Sequence, residues 1–540
     1  MKNHSAILTL AVMLLAFTSC KKSYLDEKPY SSYTPLTLTD SLGLEASAIG
    51  LYNLETGILT YSASQGWPSV WQVGTDVANA TAQQQGIEVP YYNYSQLTST
   101  DGAANYIWGK YYALINNANN IIDNVENPAT TKISAVGKKQ VEAEAKFFRA
   151  YAYNNLVTLF GKVPLTIHAL TVPKTDYKRA SLDDLNALII SDLTFASNNL
   201  YELNAGNAKV NLQGKPVGRA NKYMAMQLLA EAYLRMGKND LAEQQAQAVI
   251  NSGKFSLVKA RYGVRAGGAG DYYSDMFVYG NQRRTQGNTE AIWVLEQENS
   301  SVVVGGNVDN AQQRRVWGAA YYAIPGMLPC DSLGGRGIAR LRLSNWVLYG
   351  LYPSGDMRNS QYSIKRQYYY NDPAFPALLG KPVPFTGADT LFRICPSTTK
   401  WGAFDPNDTF GYAMIKDFIM MRLGETYLLL AEAQIKQGKT ADAAASINML
   451  RTRANAPQVT AGQMTLDFLL DERARELVGE ENRRMTLMRT GTLVDRATRL
   501  NSNDAVHPTT GLAAKNMLLP IPLSEIQLNK DAVLEQNPGY

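Results

Sequence analysis

Leu228-Leu229-Ala230-Glu231-Ala232, followed by Gly237-Lys238, recurs as Leu429-Leu430-Ala431-Glu432-Ala433, followed by Gly438-Lys439. After each copy comes a second alanine-rich stretch with helical spacing. Small residues inside two successive helices let their backbones approach, and the glycine between them turns the chain, so each copy predicts a helix hairpin of the tetratricopeptide kind. Two copies so far apart in the chain do not make a regular array. The alternative is a pair of unrelated amphipathic hairpins.

Working outward, apolar residues three and four apart predict helices at Ala104–Val125, Val136–Phe160, Ser181–Leu200, Arg219–Met236 and Asp240–Asn251. Gly161 is placed to cap the second of these, and Ser181 with Asp184 resembles a capping box with aspartate in the usual glutamate place. Thr39-Asp40 reads as an earlier helix start, with Leu42, Ala46, Ile49 and Leu54 forming its buried stripe. Helices return at Lys416–Lys436, Thr440–Arg453, Thr465–Gly479 and Glu481–Arg489. Between Tyr262 and Gly411 the periodicity fades; Gly267-Gly268, Gly305-Gly306 and Gly334-Gly335 mark loops, and Pro373, Pro376, Pro382 and Pro384 forbid a long helix. The expected fold is mainly α, a tetratricopeptide-like scaffold of helical hairpins carrying an irregular, loop-rich insert. Its parts are a helical region at 39–261 that includes an aromatic loop at 61–101, the insert at 262–411, and a helical region at 412–540.

The amino terminus has its own logic. Lys2, an apolar run from Ala6 to Phe17 and then Thr18-Ser19-Cys20 read as a lipoprotein export signal at 1–19. The run is about a dozen residues, whereas a membrane-spanning helix needs roughly 20. Cys20 would carry the lipid, and the polar, proline-marked stretch 20–38 would be the tether; the alternative is an ordinary secretory signal with an incidental cysteine. A net charge of +5, spread without any basic cluster, argues against nucleic acid as a partner. Cys330 and Cys395 could pair in an oxidising compartment.

Several blocks resemble the SusD/RagB family of lipid-anchored nutrient-binding proteins. Tyr24-Leu25-Asp26 with Pro29 is similar to the family's post-anchor motif, and Glu142 to Tyr151, continuing through Leu159-Phe160-Gly161-Lys162-Val163-Pro164, resembles its central helix and turn. Arg219-Ala220 to Leu234 and Arg422-Leu423-Gly424-Glu425 to Ala433 are similar to its tetratricopeptide helices. Glu472-Arg473-Ala474-Arg475-Glu476-Leu477, with Glu480, Arg483-Arg484 and Arg489-Thr490-Gly491, resembles its most recognisable signature; the chain closes on Pro520-Ile521-Pro522 and Gln536 to Tyr540 as members do. Met485 and Thr486 depart from the usual aromatic and aspartate. The resemblance implies an outer-membrane lipoprotein facing the cell exterior, a nutrient ligand, most often an oligosaccharide, a TonB-dependent transporter as partner, no cofactor, and ligand contacts within the insert.

The residues are consistent with binding rather than catalysis. Outside the leader the histidines are His168 and His507, and HExxH, GxSxG, P-loop and paired CxxC motifs are missing, so no catalytic or metal-ligating set is expected. Glu472, Glu476 and Glu480 share a helical face, but the interleaved arginines predict structural ion pairs. Asp405, Asn407 and Asp408 read as a surface turn, their spacing being wrong for a calcium loop. A sugar ring offers an apolar face to indole or phenol and hydroxyls to amides, carboxylates and guanidiniums. Two segments supply such groups: Trp71 with Asp76 and Asn79, and Arg314 with Trp317, Tyr321 and Tyr322; Trp293 and Trp346 sit in apolar runs and read as core. The competing expectation is an envelope scaffold whose helices bind a peptide or protein; a glycan-cleaving enzyme is the third and weakest.

Overall fold

A computed structural model describes residues 40–59, 67–81, 86–204, 209–299, 303, 311–411 and 414–540. Cys20, the leader, the tether and Gly305-Gly306 lie outside the described residues.

Among the described residues, six long helices run in order: α1 (Ser41–Leu59), α2 (Gly102–Glu126), α3 (Ala135–Phe160), α4 (Leu182–Asn199), α5 (Lys222–Arg235) and α6 (Asn239–Asn251). Each packs on the next. Six more come after the insert: α7 (Leu423–Lys436), α8 (Thr440–Arg453), α9 (Leu466–Leu477), α10 (Arg483–Arg489), α11 (Leu493–Asn501) and the short α12 (Leu523–Leu528). Helix α7 packs on α6, so the two repeat hairpins, α5–α6 and α7–α8, are direct neighbours despite their separation in sequence. Gln437 donates to Asn239 O and Glu243 Oε2, and Thr426 donates to Gln227, bonding the hairpins side to side. The scaffold is thus one stack of helical hairpins from which the insert loops out.

Local chemistry explains where the helices begin and end. Asp101, Ser134, Thr465 and Asn482 each accept a backbone N–H from the first turn of α2, α3, α9 and α10, worth about 1 kcal/mol apiece. Gly237 and Gly438 take left-handed φ of 74° and 75°. In both copies the following lysine N–H reaches back, from Lys238 to Tyr233 O and from Lys439 to Gln434 O, the same glycine cap twice. Ser181 accepts the Asp184 N–H, but the Asp184 carboxylate receives the Ser181 hydroxyl instead of reaching the backbone, because aspartate is one carbon too short for the reciprocal bond.

Two expectations are corrected. The buried stripe of α1 is Leu44, Ala48, Leu51 and Ile58; Leu42 is 80% and Ile49 53% exposed, and Ala46 also faces out. The helix carries apolar residues on both faces, and polar anchors decide between them: Tyr52 donates to Glu144, and buried Glu55 accepts from Tyr151. Secondly, 416–436 is not wholly helical. Phe418–Arg422 is a strand that pairs antiparallel with Ala291–Leu295 before the chain turns into α7. An apolar run this short suits a buried strand as well as a helix, and the partner decides.

In chain order the strands are β1 (Ala78–Ala80), β2 (Ala291–Leu295), β3 (Leu341–Leu343), β4 (Ile364–Lys365), β5 (Ser397–Thr398) and β6 (Phe418–Arg422). They form antiparallel pairs β1–β3, β2–β6 and β4–β5. The β2–β6 pair clips the excursion 296–417 shut at its base, and β1–β3 ties the aromatic loop to it. The excursion has its own small core around Tyr321, Met327, Tyr368 and Ile394. Cys330 and Cys395 are free thiols, so the pairing open to them in the sequence is not made. Each is tied to a different member of the stacked Tyr321–Tyr368 pair: Cys330 N–H donates to the Tyr321 hydroxyl, and the Tyr368 hydroxyl donates to Cys395 O. Burial pushes the Cys395 thiol up to about 12. Among the described residues, no helix is long and apolar enough to cross a membrane.

Candidate functional site

Of the first candidate group, two members are committed to the framework. Asp76 is fully buried between Arg483, with oxygens 2.6 and 2.8 Å from the guanidinium, and Arg496 at 2.7 Å. Burial acts to raise its pKa, but Arg483 and then Arg496 overcome that and hold the carboxylate below its ordinary value. Asn79 donates to Asp504 at 2.7 Å, and Asp504 also pairs with Arg342. These polar groups nail the segment 67–81 to α10, α11 and the turn at Asp504, which is why a polar, aromatic loop turns out to be interior. Trp71 remains half-buried on a cavity of about 230 Å³ in the middle of the molecule, where Trp293, Trp317 and Trp401 also stand.

The second group divides likewise. Arg314 is buried, donating to Ala403 O at 3.1 Å and Gly411 O at 2.7 Å. Trp317 is buried beside Val316 and Leu343, and Tyr321 donates to Gly335 O at 2.8 Å from inside the insert core. Tyr322 alone is partly open. Its ring meets exposed Phe410 edge-on at 6.0 Å and lies 5.5 Å below the Arg336 guanidinium. So the structure brings Trp71 and Trp317 to one cavity but does not bring the two groups together as one surface site. Asp76, Asn79, Arg314 and Tyr321 have framework roles. Trp293 is core as expected, and Trp346 is half-buried below Arg496.

The insert instead offers a cleft of about 280 Å³ between the segment 264–279 and loops from the excursion. Five aromatic residues stand in its walls: Phe277, Tyr279, 58% exposed, Tyr362, Trp401 and Phe404. Gln361, Lys365 and Thr399 add polar groups, and Arg314 lies behind the wall. The mouth is bridged by an ion pair between Arg265 and Asp331. One wall is two loops in backbone contact, which glycine permits: Gly335 sits at φ +75°, and a Cβ there would stand 2.0 Å from Ala403 O. Tyr279, Tyr362, Lys365 and Phe404 were missed in the sequence. The signal was present in Tyr279-Gly280, an aromatic before a turn glycine, whereas Lys365 becomes informative only once Ile364 beside it is seen to face the core.

Beneath the cleft lies the acidic face of α9 and the turn after it. Glu476 takes Arg358, Arg422 and Arg453, Glu472 takes Arg358, Arg451 and Arg475, and Glu480 takes Arg422 and Lys400. Burial works against ionised Glu476, and Arg453, Arg422 and Arg358 outweigh it, holding the carboxylate well below the usual range. The ion pairs are structural, but most partners come from α8, β6 and the insert rather than from the neighbouring arginines expected. Arg473 serves Glu425 and Glu481, and Arg484 caps Val70 and Val73 carbonyls.

Two family models match the chain, the SusD family over residues 398–540 and a second, described as starch-binding associating with outer membrane, over 23–234. The chain belongs to the SusD/RagB family. Among its relatives is the SusD-like protein P25 of Formosa agariphila, 25% identical over 581 residues covering 99% of each chain. The starch-binding protein SusD of Bacteroides thetaiotaomicron is 25% identical across 74% of this chain and 72% of its own. A laminarin-binding SusD-like protein of solved structure shares the fold with a TM-score of 0.66 at 23% identity, over 93% of this chain and 100% of that one. Surface glycan-binding protein A from Bacteroides fluxus does so with a TM-score of 0.68 at 22% identity, over 92% of this chain and 99% of that one.

Proposed function

We propose that this protein captures a carbohydrate in the insert cleft, without cleaving it, and delivers it to a TonB-dependent outer-membrane transporter while Cys20 anchors it by lipid to the outer face of the outer membrane. The observation that carries the reading is an open, aromatic-walled cleft in a chain akin over 74% of its length to a protein named as starch-binding and over more than 90% to proteins named as laminarin- and glycan-binding. Phenol and indole faces take the apolar side of a pyranose, and the amide and hydroxyl groups nearby take its hydroxyls. Titration calorimetry against a glycan panel is the test. Loss of most affinity in Tyr279→Ala and Tyr362→Ala supports the cleft, and a panel with no binder, or a binder indifferent to both changes, rejects it. Mass spectrometry of native material for acylated Cys20, and co-purification of a transporter, address the anchor and the partner.

A further inference from the structure

The charges of the cleft do not balance. Among the described residues its wall holds two carboxylates, and each is already answered: Asp331 by Arg265 across the mouth, and Asp275 by Arg261 at 2.5 Å. Lys365 brings further positive charge. Lys365 is set on β4 so that Ile364 enters the core and the lysine faces the cleft. It is half-buried, yet its ammonium makes no hydrogen bond or ion pair with any described residue. A second ammonium lies just behind the same wall, where buried Lys416 donates to the carbonyls of Lys400 and Gly402 and forms no ion pair with any described carboxylate. A half-buried ammonium without a counter-charge is costly, and a ligand anion would relieve that cost.

We infer that the cleft recognises an anionic sugar, one bearing a carboxylate or a sulfate ester, with Lys365 as the residue that meets the anion. This rests on the carbohydrate-binding reading above and names its ligand class. The aromatic walls would hold the ring while the charge is set toward β4. Burial lowers the Lys365 pKa, and an anion bound beside it would raise it again.

The probes are oligogalacturonides for the carboxylate, carrageenan oligosaccharides for the sulfate, and neutral galactan oligosaccharides of matched length. The expected result is at least tenfold tighter binding of one anionic class than of the neutral one, weakening as salt is raised. Lys365→Gln should abolish that preference; Lys365→Arg should keep it. Asp331→Asn, at an exposed position where folding is not at risk, should tighten anionic binding severalfold by removing the opposing charge. Neutral oligosaccharides bound equally well, or an anionic preference untouched by Lys365→Gln in a folded variant, would overturn the inference while leaving carbohydrate capture intact. Binding of neither class would overturn both.

Discussion

Two clusters of charge lie close together in this molecule and behave oppositely. On α9 and its following turn, Glu472, Glu476 and Glu480 are buried and fully met by arginine and lysine from several elements; in the cleft above, Lys365 stands half-buried and unmet. A saturated network has nothing left to offer a ligand and serves to lock elements together. An unsaturated one retains binding capacity. Charge alone therefore does not mark a site; unspent charge beside an accessible wall does.

The largest effect should come from breaking the saturated side. Glu476→Ala would leave Arg358, Arg422 and Arg453 facing one another without their shared carboxylate, and removal of one partner from a buried pair costs about 3–5 kcal/mol. Denaturant unfolding should show that loss, and an unchanged midpoint would make the network decorative. Next comes Glu432, buried between Arg489 and Lys436, whose pKa those cations hold at about 2 against the opposing pull of burial. A lowered folded-state pKa means its stabilisation, roughly 3 kcal/mol, is complete above the ordinary carboxylate value and drains away as pH falls towards 2. Glu432→Gln should remove that acid-side slope from a stability–pH curve.

Glu55 gives the opposite sign. Burial raises it to about 8, with the Tyr151 hydrogen bond pulling weakly the other way. It is a neutral acid in the folded protein near pH 7, so its contribution is intact below the ordinary carboxylate value and is lost as pH climbs towards 8. Glu55→Gln should match the parent in mild acid and exceed it by about 3 kcal/mol near neutrality; equal stability at both pH values would contradict the assignment. The smallest effect belongs to the cleft, where Tyr279→Ala should cost about 1 kcal/mol of glycan affinity and leave the thermal midpoint unmoved. A drop in midpoint instead would place Tyr279 in the framework.

The scaffold was legible because its signals are local. Caps such as Ser181 and Gly161, and the duplicated Gly-Lys turn, act within a few residues, so helix limits could be read to within a turn. What failed was decided at a distance. The face of α1 depends on Tyr151 and Glu144 of α3; Phe418–Arg422 becomes a strand only because Ala291–Leu295 is there to receive it. Asp76 looked available in a polar loop because its partners, Arg483 and Arg496, lie far along the chain. The cleft was hidden for the same reason, since its walls come from 264–279 and from loops near 330, 362 and 400, and no short window of sequence holds them together.

The two-stranded clip at the foot of the excursion has a practical meaning. Its ends leave and re-enter the body side by side, at Leu295 and Phe418, and Arg358 and Lys400 from the span bind it to Glu472, Glu476 and Glu480. One bank of the cleft comes from 264–279, ahead of the clip, and the other from this span. If the cleft holds a sugar as proposed, grafting a different span that keeps those two cations onto the same two strands would change which sugar fits.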